Sequence, residues 1–218
     1  MYRAEEDYLK TIYELTIQRK QDIVKTNEIS DTFGFTDQSV NEMIKKLVHK
    51  KLVKFIPYKG VHLTKPGIKE AIRLLRAHRI WEVFLTNQLG YGWDEVDEDA
   101  EKLEHASSEA LIRKLEIMLD YPQYCQHGNP IPSQEGEIAP FSTISLNELK
   151  EKTSFIMTRV LDHKALLQFL NEEKIILNKK YWIHKIDSFN HLTTIIDEND
   201  KETIISNQVG KMIFIKPL

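Results

Sequence analysis

The chain of 218 residues is 41% hydrophobic and 29% charged, with eight Gly and seven Pro, enough apolar material for one large or two modest cores and too little bias for a fibrous or disordered protein. A single cysteine, Cys125, excludes an intrachain disulfide and any Cys-rich zinc motif. The formal net charge of -3 is wrong for a uniformly basic nucleic-acid binder, so the distribution of charge has to be read along the chain.

No apolar run approaches the roughly 20 residues that cross a bilayer, and the start Met1-Tyr2-Arg3-Ala4-Glu5-Glu6-Asp7 lacks the layout of a secretory signal. A cytoplasmic protein with no membrane partner is expected. Residues 4–19 repeat Tyr8, Ile12, Leu15 and Arg19 at helical spacing, beside Leu9 and Tyr13. A second, short helix capped by Thr26 runs to Phe33 and stops at Gly34. A third begins near Thr36 or Asp37 and turns Val40, Ile44, Leu47 and Val48 inward. Two strand-like runs, 52–56 and 61–64, flank the turn tetrapeptide Pro57-Tyr58-Lys59-Gly60 and read as a β-hairpin wing.

Lys65-Pro66-Gly67 opens a long helix to about Gln88, which Gly90-Tyr91-Gly92 ends, and helices over about 94–106 and 108–119 follow. Breakers then concentrate at Pro122, Gly128, Pro130, Pro132 and Gly136. Beyond them the pattern becomes β-rich, with strands at 154–160, 181–187, 192–197, 202–205 and 212–215 and a helix at about 163–172, as in a small, partly open barrel.

Charge separates along this plan. From Met43 to Arg76 ten basic residues face Glu70 alone, a net of +9, whereas from Asp94 to Asp120 ten acidic residues face three basic ones, a net of -7. The basic stretch holds the third helix and the wing, where a helix-turn-helix protein reads DNA. Thr36, Gln38, Ser39, Asn41 and Glu42 are the short polar side chains suited to base edges. Lys45, Lys46, Tyr58 and Lys59 suit the phosphate backbone. The bland alternative is a solvated lysine-rich helix with a hairpin packed on it. Helix-turn-helix, hairpin and basic excess in that order favour DNA.

The acidic stretch places Glu101, Glu104 and His105 at i, i+3 and i+4, two carboxylates and an imidazole on one helical face. Asp97 precedes Glu101 by four residues, and His78 with Glu82 repeats the i, i+4 spacing on the long helix. Mixed oxygen and nitrogen donors suit Mn(II) or Fe(II) better than structural zinc. The competing reading is a solvated acidic face with intrahelical ion pairs. Taken alone, Asp7 is a helix-dipole partner and Cys125 a small buried hydrophobe.

In this order the chain resembles the DtxR/MntR family of metal-dependent transcriptional repressors. The resemblance rests on Glu6-Asp7-Tyr8-Leu9 with Ile12-Tyr13, Val40 through Lys46, Leu63-Thr64-Lys65-Pro66-Gly67 and His78-Arg79. It continues through Glu82-Val83-Phe84-Leu85, Glu101-Lys102-Leu103-Glu104-His105 and Tyr121-Pro122 to Cys125-Gln126-His127-Gly128. It implies a mainly α chain with a small β domain: a winged helix-turn-helix over 1–70, a helical metal-binding and dimerisation domain over 71–135, and an SH3-like (FeoA-like) β-barrel over 136–218. It implies a homodimer on a palindromic double-stranded operator, with metal as co-repressor and metal-uptake genes as targets. The resemblance implies a primary site of Asp7, Glu101, Glu104, His105 and Cys125, and a second of His78, Glu82, Asp97 and Asp162; Asp7 and Cys125 join the first by resemblance and not by spacing. Lys10 stands where short members carry a second Glu, which speaks against a paired-metal centre. Glu101, where iron-type members tend to have Cys, favours Mn(II) over Fe(II). Two alternatives remain: a metal-dependent enzyme, although the chain has no His-Glu-x-x-His, Gly-rich phosphate loop or nucleophile elbow, and a winged-helix regulator whose acidic helices merely pack and whose trigger is another ligand.

Overall fold

The computed structural model describes residues 1–218, the side chain of Arg19 excepted. The chain divides into two compact units, one of residues 1–78, 103–113 and 132–137, the other of residues 79–102, 114–131 and 138–218.

The first unit is built on α1 (Arg3–Arg19), α2 (Thr26–Phe33), α3 (Asp37–His49) and the hairpin β1 (Val53–Ile56) and β2 (Gly60–Leu63). It also holds α4 (Lys65–Leu89) as far as His78, α5 (Val96–Ala106) from Leu103, and α6 (Glu109–Met118) as far as Arg113. Tyr8, Leu9 and Ile12 of α1, Ile29 of α2 and Val40, Ile44 and Leu47 of α3 are buried, so the 3.6-residue pattern is a true inner face. Thr36 caps α3 by accepting from the Ser39 N–H at 3.3 Å.

Two local expectations need correction. Lys25, not Thr26, is the N-cap of α2, because Glu28 accepts the Lys25 N–H at 2.8 Å and draws Thr26 into the first turn. Val48 is 38% exposed, since it lies at the edge of the stripe that Val40, Ile44 and Leu47 define.

The hairpin pairs Val53 with Leu63 and Ile56 with Gly60. Val24 adds a bridge to Val61, with N–H···O distances of 2.9 and 2.8 Å. Gly60 is required beneath it: its φ is 135°, and a Cβ there would sit 2.1 Å from the Val24 carbonyl oxygen.

The second unit takes the rest of the three helices and a five-stranded antiparallel sheet of order β6-β5-β4-β3-β7. Its strands are β3 (Ser154–Val160), β4 (Lys180–Asp187), β5 (Leu192–Ile196), β6 (Glu202–Ser206) and β7 (Ile213–Pro217). Alternate residues Phe155 and Met157, Tyr181 and Ile183, and Ile213 and Ile215 turn into one core, closed by Leu166, Leu167 and Leu170 of α7 (Lys164–Glu172). Register shifts at Met157/Arg159 and Ile183/Lys185 bend the sheet. The outer strands β6 and β7 do not pair, so the expected barrel is an open one. A 3-10 turn (Leu146–Glu148) and the short α8 (Asn207–Gly210) complete it. Among the described residues no helix is long and apolar enough to cross a membrane.

Candidate metal centres and nucleic-acid interface

Burying Val40, Ile44 and Leu47 leaves the opposite face of α3 to solvent. Thr36, Gln38, Ser39, Asn41, Glu42, Lys45 and Lys46 are all exposed, as are Tyr58 and Lys59 at the hairpin tip. Thr36 and Ser39 have their hydroxyls 3.0 Å apart, so those two also serve the cap. Tyr58 is held at φ 63° in the left-handed region, a conformation that costs a non-glycine residue about 1 kcal/mol or more and lifts its ring clear of the hairpin.

Within the same unit, α1 and α5 bring carboxylates and imidazoles together. Asp7, Glu104 and His105 present ligand atoms within 4.8 Å of one another, and Glu101 adds a carboxylate one turn earlier on α5. His105 Nε2 stands 2.9 Å from Asp7 Oδ1 and 3.5 Å from Glu104 Oε1. Its Nδ1 is 2.6 Å from Glu6 Oε2, and Arg73 holds the other Glu6 oxygen at 3.2 Å, so the ring is oriented from behind. Glu104 is fully buried and is the hub. Lys10 Nζ donates to both its oxygens, at 2.7 and 2.8 Å, and His78 Nδ1 lies 2.6 Å from Oε2. A buried carboxylate needs such partners, because an uncompensated one costs several kcal/mol. Lys10 thus places a fixed cation beside the ligand group.

The second unit holds another cluster. Cys125, His127 and Glu82 are buried, with ligand atoms within 4.8 Å of one another. His127 Nδ1 lies 3.0 Å from Glu82 Oε1 and 2.7 Å from Asp162 Oδ1. Its Nε2–H donates to the Trp93 carbonyl at 2.7 Å, which reserves Nδ1 for the carboxylates or for a cation in their midst. The turn carrying Cys125 and His127 is pinned by Cys125 N–H to Asn129 O and Gly128 N–H to Cys125 O, both 2.9 Å. Gly128 has φ 76°, and a Cβ there would lie 2.1 Å from the Thr158 carbonyl oxygen. Asn129 Nδ2 donates to Asp162 Oδ1 at 2.9 Å and fixes that carboxylate in turn.

This environment decides the protonation states. Burial, then the charge of Glu82, pushes the Cys125 thiol up to about 11. Burial alone would lower His127, but the charge of Asp162 and the hydrogen bonding of the imidazolium to Asp162, Cys125 and Glu82 outweigh it and hold the imidazole far above the ordinary histidine range. Without a metal the cluster therefore stores a thiol and an imidazolium among carboxylates. The Cys125 sulfur, the His127 nitrogen and the Glu82 carboxylate within 4.8 Å of one another, with Asp162 against the same imidazole nitrogen, form a donor set that fits a divalent cation in place of those protons.

The expected sites are therefore regrouped in one respect. Cys125, expected with Asp7, Glu101, Glu104 and His105, joins Glu82, His127 and Asp162 instead, because the Gly128 turn aims Cys125 and His127 at the same carboxylates. In the expected second set, Glu82 and Asp97 do approach within 4.8 Å, with His78 one turn before Glu82 on α4. His127 was not foreseen as a ligand. Its signal was local: a Cys-x-His-Gly sequence in which the glycine enforces a tight turn.

Comparison with known proteins agrees with this architecture. Residues 1–61 match the iron-dependent repressor N-terminal DNA-binding domain, and residues 64–133 match the iron-dependent repressor metal-binding and dimerisation domain. The chain is 36% identical over 120 residues to an uncharacterised HTH-type transcriptional regulator of Methanocaldococcus jannaschii, covering 55% of this chain and 95% of that one. It is 28% identical over 209 residues to the diphtheria toxin repressor of Corynebacterium glutamicum, covering 95% and 86%. The solved structure of the manganese regulator SloR superposes with a TM-score of 0.84 at 31% identity, over 98% of each chain.

Proposed function

The chain belongs to the iron-dependent repressor family and is a metal-dependent, DNA-binding transcriptional repressor; from that premise we propose that Mn(II) is its co-repressor and that it controls metal-uptake genes from the cytoplasm. As a homodimer it grips a palindromic operator, with residues 1–70 reading DNA, 71–135 binding metal and dimerising, and 136–218 forming the SH3-like tail. α3 enters the major groove, Gln38, Ser39, Asn41 and Glu42 meet base edges, and Lys45, Lys46, Tyr58 and Lys59 meet phosphates.

The observation that carries the proposal is the 2.9 Å approach of Asp7 on α1 to His105 on α5. α1 leads directly into the winged helix, so a ligand group that includes Asp7 couples occupancy to the position of the reading head. Glu101, Glu104 and His105 hold the cation beside it. Three hard carboxylate donors outnumber one borderline imidazole, a balance that suits Mn(II). The bound ion supplies positive charge between α1 and α5, and it favours the DNA-competent arrangement by as much as it binds that arrangement more tightly. Glu82, Cys125, His127 and Asp162 form a second metal site. A second reading, Fe(II) as co-repressor, is favoured by the sulfur of Cys125, since a thiolate prefers a softer ion than Mn(II).

Operator binding is measured anaerobically with Mn(II), Fe(II) and Zn(II), recording metal stoichiometry. At saturation Mn(II) is expected to give the largest gain in operator affinity, while Fe(II) and Zn(II) saturate at lower free concentration, as the Irving–Williams order requires. The Asp7→Ala protein is expected to fold and to lose that gain. Equal operator affinity of metal-free and loaded protein would overturn the proposal, and a response to Fe(II) alone would select the second reading.

A further inference from the structure

Glu82 and His127 are fully buried and Cys125 nearly so, so an incoming cation needs a path to them. Asp162 keeps the group in touch with solvent, its side chain 17% exposed. The same residue lines a cavity of about 330 Å³ whose other charged walls are Asp94, Glu95, Asp97, Glu98 and Lys164. Five carboxylates face one ammonium there. Asp97 also reaches inward, with a ligand atom within 4.8 Å of one on Glu82. The cavity therefore meets the buried ligand group at two points.

Some of this acid has a structural use. Asp97 and Glu98 lie in the first turn of α5 and complement its dipole, and Glu98 pairs with Lys102 at 2.8 Å. Asp94 and Glu95 lie in the turn ahead of the helix. The polar contacts of Asp162 to His127 and Asn129 both use Oδ1, so among the described residues Oδ2 remains for a new partner.

We propose that this cavity is the entrance vestibule of the Glu82–Cys125–His127–Asp162 centre, gathering hydrated divalent cations from solvent and handing them inward through Asp162; the inference rests on reading that centre as a metal site. Like-signed charges around a concave, low-dielectric wall focus the potential and raise the local concentration of the opposite ion. Lys164 in the same wall opposes this and tempers the field. Asp162 is the transfer point because it belongs to both the wall and the ligand group. The vestibule sets the rate of loading, and the buried donors set the residence time.

The test mixes Co(II) rapidly with the metal-free full-length chain and follows the thiolate-to-cobalt absorption, which reports the chain's one cysteine. Asp94→Asn with Glu95→Gln is expected to slow association about five-fold or more at low ionic strength. Dissociation, measured by chelator chase, is expected to stay unchanged. The difference should close in about 1 M salt, where the screening length is about 3 Å. Lys164→Glu is expected to speed association about two-fold or more. Wild-type rates at low salt in both variants would overturn the vestibule. A wild-type protein with no such band, or a band that survives Cys125→Ser, would overturn the metal-site reading beneath it.

Discussion

Loading the Cys125 centre should expel two protons per cation. The thiol is pushed up to about 11, so at about pH 7 roughly one molecule in 10⁴ carries the thiolate, and forming it there costs about 5 kcal/mol. His127 is held as imidazolium by Asp162, Cys125 and Glu82, and Nδ1 offers no lone pair until its proton leaves. Both protons compete with the cation, so affinity rises as pH rises. Between roughly pH 6 and 8 the expected gain is about 100-fold per pH unit, one factor of ten per proton. With an unperturbed histidine, already neutral over most of that range, the gain would be nearer ten-fold. The assay is Co(II) competition against a chromophoric chelator across this range, with an indicator dye counting released protons in weakly buffered solution. Cys125→Ser should reduce the release at this centre to about one proton. A wild-type release near one, or a ten-fold gain per pH unit, would refute the stored thiol–imidazolium pair.

The other predictions concern the helix junction, the ligand turn and the reading head. Lys10→Met strips buried Glu104 of its ammonium and should cost about 3–5 kcal/mol of metal-free stability in denaturant unfolding, part of which Mn(II) restores; a loss below about 1 kcal/mol would show that Glu104 is solvated. Gly128→Ala forces a Cβ onto the Thr158 carbonyl at an unfavourable φ, so it should lower stability by more than about 2 kcal/mol and abolish the Co(II)-thiolate band, whereas an intact band would mean the turn adjusts. Lys45→Ala and Lys46→Ala should each weaken binding to any duplex and reduce the salt slope of log affinity by about one, while Asn41→Ala should relax base preference at one operator position by about 1–3 kcal/mol; an unchanged slope would remove the lysines from the phosphate contacts.

What could be read from the chain alone divides by the range of the interaction. Periodicity located every long helix, and the Pro57–Gly60 turn located the wing, because those signals are repeated or local. Glu101, Glu104 and His105 share one helix, so their convergence follows from spacing. The partnership of Lys10 with Glu104 crosses 94 residues and leaves no periodic trace. Cys125 lies with Glu82 and His127 and not with the companions expected of it for the same reason: resemblance supplies the residue, whereas its neighbours come from the fold of the loop that carries it. His127 carries as clear a side-chain chemistry as the predicted ligands, yet lies in an irregular loop where no repeat draws attention to it. Thr26 and Val48 were displaced by single local effects, a carboxylate reaching back to Lys25 and a position at the stripe's edge.

The sheltered sulfur has a consequence for redox life in the cell. Peroxide and alkylating agents attack the ionised form of a cysteine, and here that form is both scarce and walled off from solvent. The resting protein is thereby insulated against oxidative damage at its one thiol by burial and a held proton. Only arrival of a cation draws the proton away, so reactivity of the sulfur is gated by the metal and not by the oxidant.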